Sequence, residues 1–270
     1  MLRRVARLFA SALVLTAGPL AAVPAVGQEG AQEPPRPDTT RGLDASLATA
    51  DSLRRAGNFP AARARLQALR TRHPERVAVL WRLVYTWADL GQATDDEAAR
   101  TRYYDTALRV ATTTLAADSA SGRAHLAMAV AQGRAALDTG TRERIERSRA
   151  VKRHADRAIA IDSTLDGAYH VRGRWHREVE DLGFFQRAIV RTVYGGLPES
   201  SLQQAVKDFK RAIALDDRLF HHLELGKTYL QMDRSEAARR EFRTVLDMPA
   251  REPFDSEYKE EARTYLADLG

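Results

Sequence analysis

The chain has no cysteine. That excludes disulfides, thiolate metal sites, a cysteine nucleophile and the acylated cysteine of a lipoprotein. Aromatic residues make up only 7% of the sequence, while alanine, leucine, arginine and glutamate dominate, a mixture that favours helix. Proline is concentrated before residue 40 and afterwards falls only at candidate helix boundaries. Excess charge is also small. Arg3, Arg4 and Arg7 account for half of the net +6, so the rest of the chain is too weakly and too evenly basic to argue for nucleic acid.

Catalytic signatures are missing as well. A zinc-protease helix needs two histidines four apart with a glutamate between them, and none of the seven histidines forms such a pair. His170 and His176 are six apart and fall on different faces of one helix. Gly195-Gly196 lacks the Gly-Lys-Ser/Thr ending of a phosphate loop and reads as a chain reversal before Pro198. There is no GxSxG, no Ser-His-Asp order and no paired-carboxylate signal, so neither an enzyme nor a bound metal or cofactor is expected, an enzyme with a site assembled between repeats being the last alternative.

The first 27 residues combine a basic start, an apolar run from Leu8 to Ala17 and small residues placed for cleavage after Ala25 or Gly27. This is a secretory signal pattern, with an uncleaved anchor as the alternative; the expected location is outside the cytoplasm, in a periplasm. Residues 28–42, rich in proline and polar side chains, are expected to be a linker.

From Leu43 onward helical periodicity is continuous. Five helix pairs are expected, Leu43–Ala56 with Phe59–Arg70 being the first, and turns are placed at Gly57-Asn58, Gly91, Asp138–Gly140 and Gly195–Pro198. Val84 follows Ala50 by 34 residues, the length of a tetratricopeptide repeat. Ala62 and Ala107 are 45 apart and the AIAID and AIALD endings 54 apart, so the second and fourth pairs carry insertions. The second insertion contains Phe184, Phe185, Ala188, Ile189 and Val193 on one helical side; it is either extra core or the lid of an apolar groove. A last helix, Asp255–Leu269, suits a solvating cap on the open end of a solenoid. The expected fold is thus all-α: a right-handed tetratricopeptide-like α-solenoid of about five irregular pairs plus a capping helix, spanning 43–270.

Gly173-Arg174-Trp175, the aromatic insert, the Tyr194-to-Pro198 turn and Leu225-Gly226-Lys227-Thr228-Tyr229 together resemble the regulator of microtubule dynamics family. The resemblance covers roughly 45–270 and implies an irregular tetratricopeptide solenoid without enzymatic activity. It also implies kinship with animal proteins associated with microtubules, organelle membranes and phospholipids. This chain departs from the membrane-anchored members at its N-terminus, where the export pattern stands.

In such an array the first helix of each pair lines the concave surface. With Ala50, Val84, Ala129, Gly173 and Gly226 as helix-packing positions, the first three pairs contribute Arg54, Trp81, Tyr85, Leu126, Val130 and Arg134 to the groove. The last two contribute His170, Arg174, Arg177, Lys227 and Leu230. Apolar walls with a cationic end suit an extended protein or peptide segment with an acidic terminus, or an amphipathic ligand such as an anionic lipid. The competing reading is that these cations pair with Asp51, Asp89, Glu178 and neighbouring acids.

Overall fold

Thr39–Arg55 (α1) and Phe59–Arg72 (α2) form the first antiparallel pair of a computed structural model that describes residues 39–270, with the side chains of residues 39–40, 138, 184–187 and 189 outside the description. Residues 1–38, and with them the expected signal segment and most of the expected linker, lie outside the described residues; α1 itself begins inside the stretch read as linker. Gly57, at φ +75°, makes the reversal, and Asn58 caps α2 by accepting from the Ala61 amide. The second and third pairs are Val77–Gln92 (α3) with Glu97–Ala117 (α4), and Gly122–Ala135 (α5) with Thr141–Ile161 (α6). Asp96 and Ser121 cap α4 and α5 in the same manner as Asn58.

The fourth pair is split. Asp166–Glu180 (α7) packs against Leu202–Leu215 (α9), with Phe184–Tyr194 (α8) inserted between them in sequence. The contacts of α8 are with α6, so the insert is laid on the solenoid's second-helix layer. Ala188 and Val193 of the insert are exposed; Phe184, Phe185 and Ile189 belong to the side chains outside the description. Leu219–Gln231 (α10) with Ser235–Asp247 (α11) is the fifth pair, and Asp255–Asp268 (α12) follows. Among the described residues there is no strand, and no helix is long and apolar enough to cross a membrane.

One packing device recurs. A Cβ on Gly226 of α10 would stand 2.5 Å from the Phe242 ring of α11, and one on Gly173 of α7 would stand 3.0 Å from the Phe209 ring of α9. Each glycine removes a side chain so that an aromatic of the partner helix can lie on bare backbone. Gly91 does the same for Tyr104, which corrects one expectation: Gly91 does not make a turn but lies inside α3, beneath the Tyr104 ring, and the reversal comes at 93–96.

The first helices α1, α3, α5, α7, α10 and α12 each touch the next, forming the inner layer, while the second helices fan outside. Apolar burial is distributed along the array, in a large cluster over α1–α5, another over α9–α12, and smaller ones between them. The ends also meet. Phe254, before α12, stacks on Phe59 at 5.7 Å, and the Gln92 amide of α3 donates to the Tyr258 hydroxyl at 3.4 Å. The outer side of α12 faces solvent through Glu257, Glu260 and Arg263, and its other side packs on α10 and α11 through Ala262 and Tyr265, covering that end of the array while Tyr258 reaches back to the second pair.

Alanine at Gly226 drives a methyl into the Phe242 ring and is expected to cost about 1–3 kcal/mol in urea unfolding. Shrinking the ring in the double variant Gly226→Ala, Phe242→Leu should return part of that loss. Additive losses in the two variants would contradict the close approach.

Candidate functional site: the concave wall

Trp81 and Tyr85 of α3 meet edge to face at 5.8 Å. The Arg54 guanidinium lies over the Tyr85 ring at 5.4 Å and is ion-paired to Asp89, one turn beyond Tyr85. Asp51 pairs instead with Arg82 through two nitrogens, and Arg82 covers Trp81 at 4.2 Å. Burial raises the Tyr85 pKa above the ordinary phenol range, against the pull of Arg54, so the hydroxyl stays neutral at physiological pH.

Further along the wall, Leu126 is buried with Leu165 and Ala168, and Val130 packs against that cluster. Leu230 packs against the core of α9–α12. Leu126 therefore serves as core, and the apolar part of the wall is Trp81, Tyr85, Val130 and Leu230, each half-buried. Arg134 donates to the Gln92 side-chain oxygen, whose amide reaches Tyr258, so Arg134, Gln92 and Tyr258 form a polar bridge.

The cations of α7 and α10 converge on a residue that the helix-frame count passes over. Glu224, two positions before Gly226, accepts from Arg177 at 2.9 Å and Lys227 at 3.0 Å, with Arg174 at 3.8 Å. Arg174 also pairs with Glu178 at 2.7 Å, and Lys227 with Glu261 of α12 at 2.9 Å. Burial works to raise the Glu224 pKa, but Arg174, Arg177 and Lys227 outweigh it and hold the group at about 2. Acids take most of these cations: Asp89 holds Arg54, Glu178 holds Arg174, and the neighbouring Glu224 and Glu261 hold Arg177 and Lys227, while Asp51 pairs with Arg82 instead. The signal for Glu224 was a lone acid inside the apolar stretch HHLELGKTYL, three residues before Lys227.

His170 sits beside this cluster, edge-on to Phe209 and Phe220 at 5.6 and 4.7 Å. Its Nδ1 is 3.0 Å from Nδ1 of the fully buried His221, whose Nε2 is 3.3 Å from the Asp166 carboxylate. A His221 that donates from Nε2 to Asp166 keeps Nδ1 as an acceptor, so His170 donates from Nδ1. Burial pushes His170 well below its ordinary pKa and His221 adds to the fall; burial lowers His221 as well, while Asp166 acts to raise it. Both imidazoles are neutral at physiological pH. Among the described residues no group of three or more histidines, cysteines and carboxylates is arranged to hold a metal ion.

Two outcomes test this arrangement. Glu224 has a folded-state pKa below its ordinary 4.5, so its contribution is fully present above about pH 4.5 and is lost as pH falls through about 2. Glu224→Gln leaves three clustered cations without their buried carboxylate. It is expected to cost about 3–5 kcal/mol in urea unfolding at neutral pH; a loss under about 1 kcal/mol would contradict the cluster. The histidines act over a higher range. Their folded pKa values lie below the unfolded value, so the unfolded chain binds protons first and stability declines as pH falls below about 6.5. His170→Asn should flatten the decline in urea midpoint between about pH 7 and pH 5; an unchanged slope would contradict the depressed pKa.

A family profile described as "Regulator of microtubule dynamics protein 1-3" matches residues 46–270. Regulator of microtubule dynamics protein 1 of Bos taurus is 28% identical over 196 residues, covering 71% of this chain and 62% of that protein. Regulator of microtubule dynamics protein 3 of Mus musculus is 23% identical over 193 residues, covering 71% of this chain and 41% of that one. The chain therefore spans less than two thirds of the length of these curated relatives. Among solved structures, a thermophilic tetratricopeptide protein of Thermus thermophilus superposes with a TM-score of 0.62 at 17% identity, over 83% of this chain and 98% of that one. The fold is accordingly that of a tetratricopeptide solenoid, and the chain belongs to the regulator of microtubule dynamics family.

Proposed function

We propose that this protein is a non-enzymatic scaffold whose concave wall binds an extended segment of a protein partner, with an acidic group of the partner at the α5–α7 end. The observation that carries this reading is the Glu224 cluster with its neighbour Arg134. Arg174, Arg177 and Lys227 are held in place by the carboxylate they surround, and Arg134 has the neutral Gln92 as its partner. Cations fixed in this way lose little side-chain entropy on meeting a carboxylate, and the planar guanidinium fork of Arg134 and Arg174 suits two-oxygen contacts. Arg174 keeps 40% of its side chain accessible, so it can be reached. Trp81 and Tyr85 supply a rigid aromatic surface further along the wall for apolar side chains of the same segment.

A phospholipid or fatty acid is the alternative occupant. It calls for a continuous apolar channel to hold an acyl chain, and the burial of Leu126 in the core weakens that reading. We also propose that residues 1–27 direct export and are removed; sequencing the mature N-terminus should find Val26 or Gln28 first, and Met1 would overturn this.

Native mass spectrometry of protein purified gently from its own host tests the scaffold reading. A protein or peptide mass is expected to travel with the chain and to be lost in Arg134→Glu with Arg174→Glu, with circular dichroism unchanged. A bound lipid mass in place of a polypeptide would overturn the reading.

A further inference from the structure

The insert creates a second surface, on the side of the solenoid where α8 meets α6. Gly195 and Gly196 both adopt positive φ, +74° and +80°, and reverse the chain at the end of α8. The reversal is clamped. Arg149 of α6 donates through Nε to the Gly196 carbonyl at 3.0 Å and through Nη2 to that of Tyr194. Leu197 then packs against the small core of Val151, Trp175 and Val179. Between the clamped turn and α6 lies a cleft of about 600 Å³, bordered by Arg149, Lys152 and Arg153 on one side and Gly195–Pro198 on the other. At Arg149 it meets a second hollow of about 300 Å³, bordered by Arg142, Ile145, Glu146, Val193 and Tyr194.

The charges in this cleft do not cancel. Asp156 is taken by Lys152 at 2.7 Å and by Arg172 at 3.2 Å, and Glu146 lies 3.6 Å from Arg142. Arg149 spends its donors on carbonyl oxygens, which satisfy hydrogen bonds but carry no net charge. Arg153 is exposed, with no carboxylate partner among the described residues. The apolar side is equally open: Val193 is 66% exposed. From Arg142 to Arg153 the helix rises about 16 Å, the length of about five residues of extended chain. Extended chain places alternate side chains on opposite sides, which matches a row of cations facing an apolar lip.

We propose that this cleft docks an extended segment of a partner protein in which acidic residues alternate with aliphatic ones, the acids meeting Arg149 and Arg153 and an aliphatic side chain meeting Val193. This surface is separate from the concave wall, so one chain holds two partner segments at once.

Fluorescence anisotropy with a short labelled peptide alternating Glu and Leu tests the proposal on the full-length protein. Arg142→Glu with Arg153→Glu, both exposed positions, is expected to weaken binding at least tenfold with an unchanged circular dichroism spectrum, and Val193→Ser to weaken it severalfold. Arg109→Glu, an exposed position of α4 outside both surfaces, should leave the affinity as it was. Three results would overturn the proposal. The first is equal affinity in the Arg142/Arg153 double variant. The second is equal affinity for a Glu/Ser peptide, or complete displacement by millimolar phosphate, either of which marks a simple anion site. The third is loss of binding in Arg174→Ala, which places the peptide on the concave wall instead.

Discussion

Two antiparallel helices come close where the residues between them are small, and an aromatic of one can lie on the other only over bare backbone. Gly173 beneath Phe209, Gly226 beneath Phe242 and Gly91 beneath Tyr104 are that constraint, met three times. Each close approach fixes the angle between the members of a pair, and the stacking of pairs follows from it. Once the first helices are drawn into an inner layer, side chains distant in sequence must share a narrow concave face. The convergence of α7, α10 and α12 on Glu224 is a consequence of that curvature. So is the bridge from Arg134 through Gln92 to Tyr258.

Electrostatics on the inner face follow from burial. A carboxylate enclosed as Glu224 is would be costly alone and is stabilised by the three cations around it; those cations are in turn held rigid. The same enclosure keeps His170 and His221 neutral and Tyr85 protonated. The wall is therefore an organised array of paired charges held in fixed positions.

Much of the fold was legible because its signals are local. Helix periodicity, the Gly57-Asn58 and Gly195–Pro198 reversals, and the glycines at 173 and 226 each act within a pair, and the structure places them as the spacing required. Gly91 was misread because glycine punctuates turns as readily as it relieves crowding, and only Tyr104 distinguishes the two. The residues expected to line the groove lie on the first helices, but which of them face open space depends on neighbouring pairs: Leu126 went to the core for that reason. Glu224 paired with α7 and His221 paired with Asp166 arise where neighbouring pairs stack, and the return of Phe254 and Tyr258 to the first two pairs arises from curvature accumulated over several. No single window of sequence holds that information. The insert was placed as a helix from its pattern, yet its seat on α6 came from the structure.

The central claim is that the concave wall meets a protein. Placing a photo-crosslinking amino acid at Tyr85, on that wall, and in a second variant at the exposed Arg109 of α4, tests it in the native host. Irradiation should yield a discrete polypeptide adduct from position 85 and none from position 109. Adducts of equal yield from both positions, or a lipid adduct alone from position 85, would contradict it.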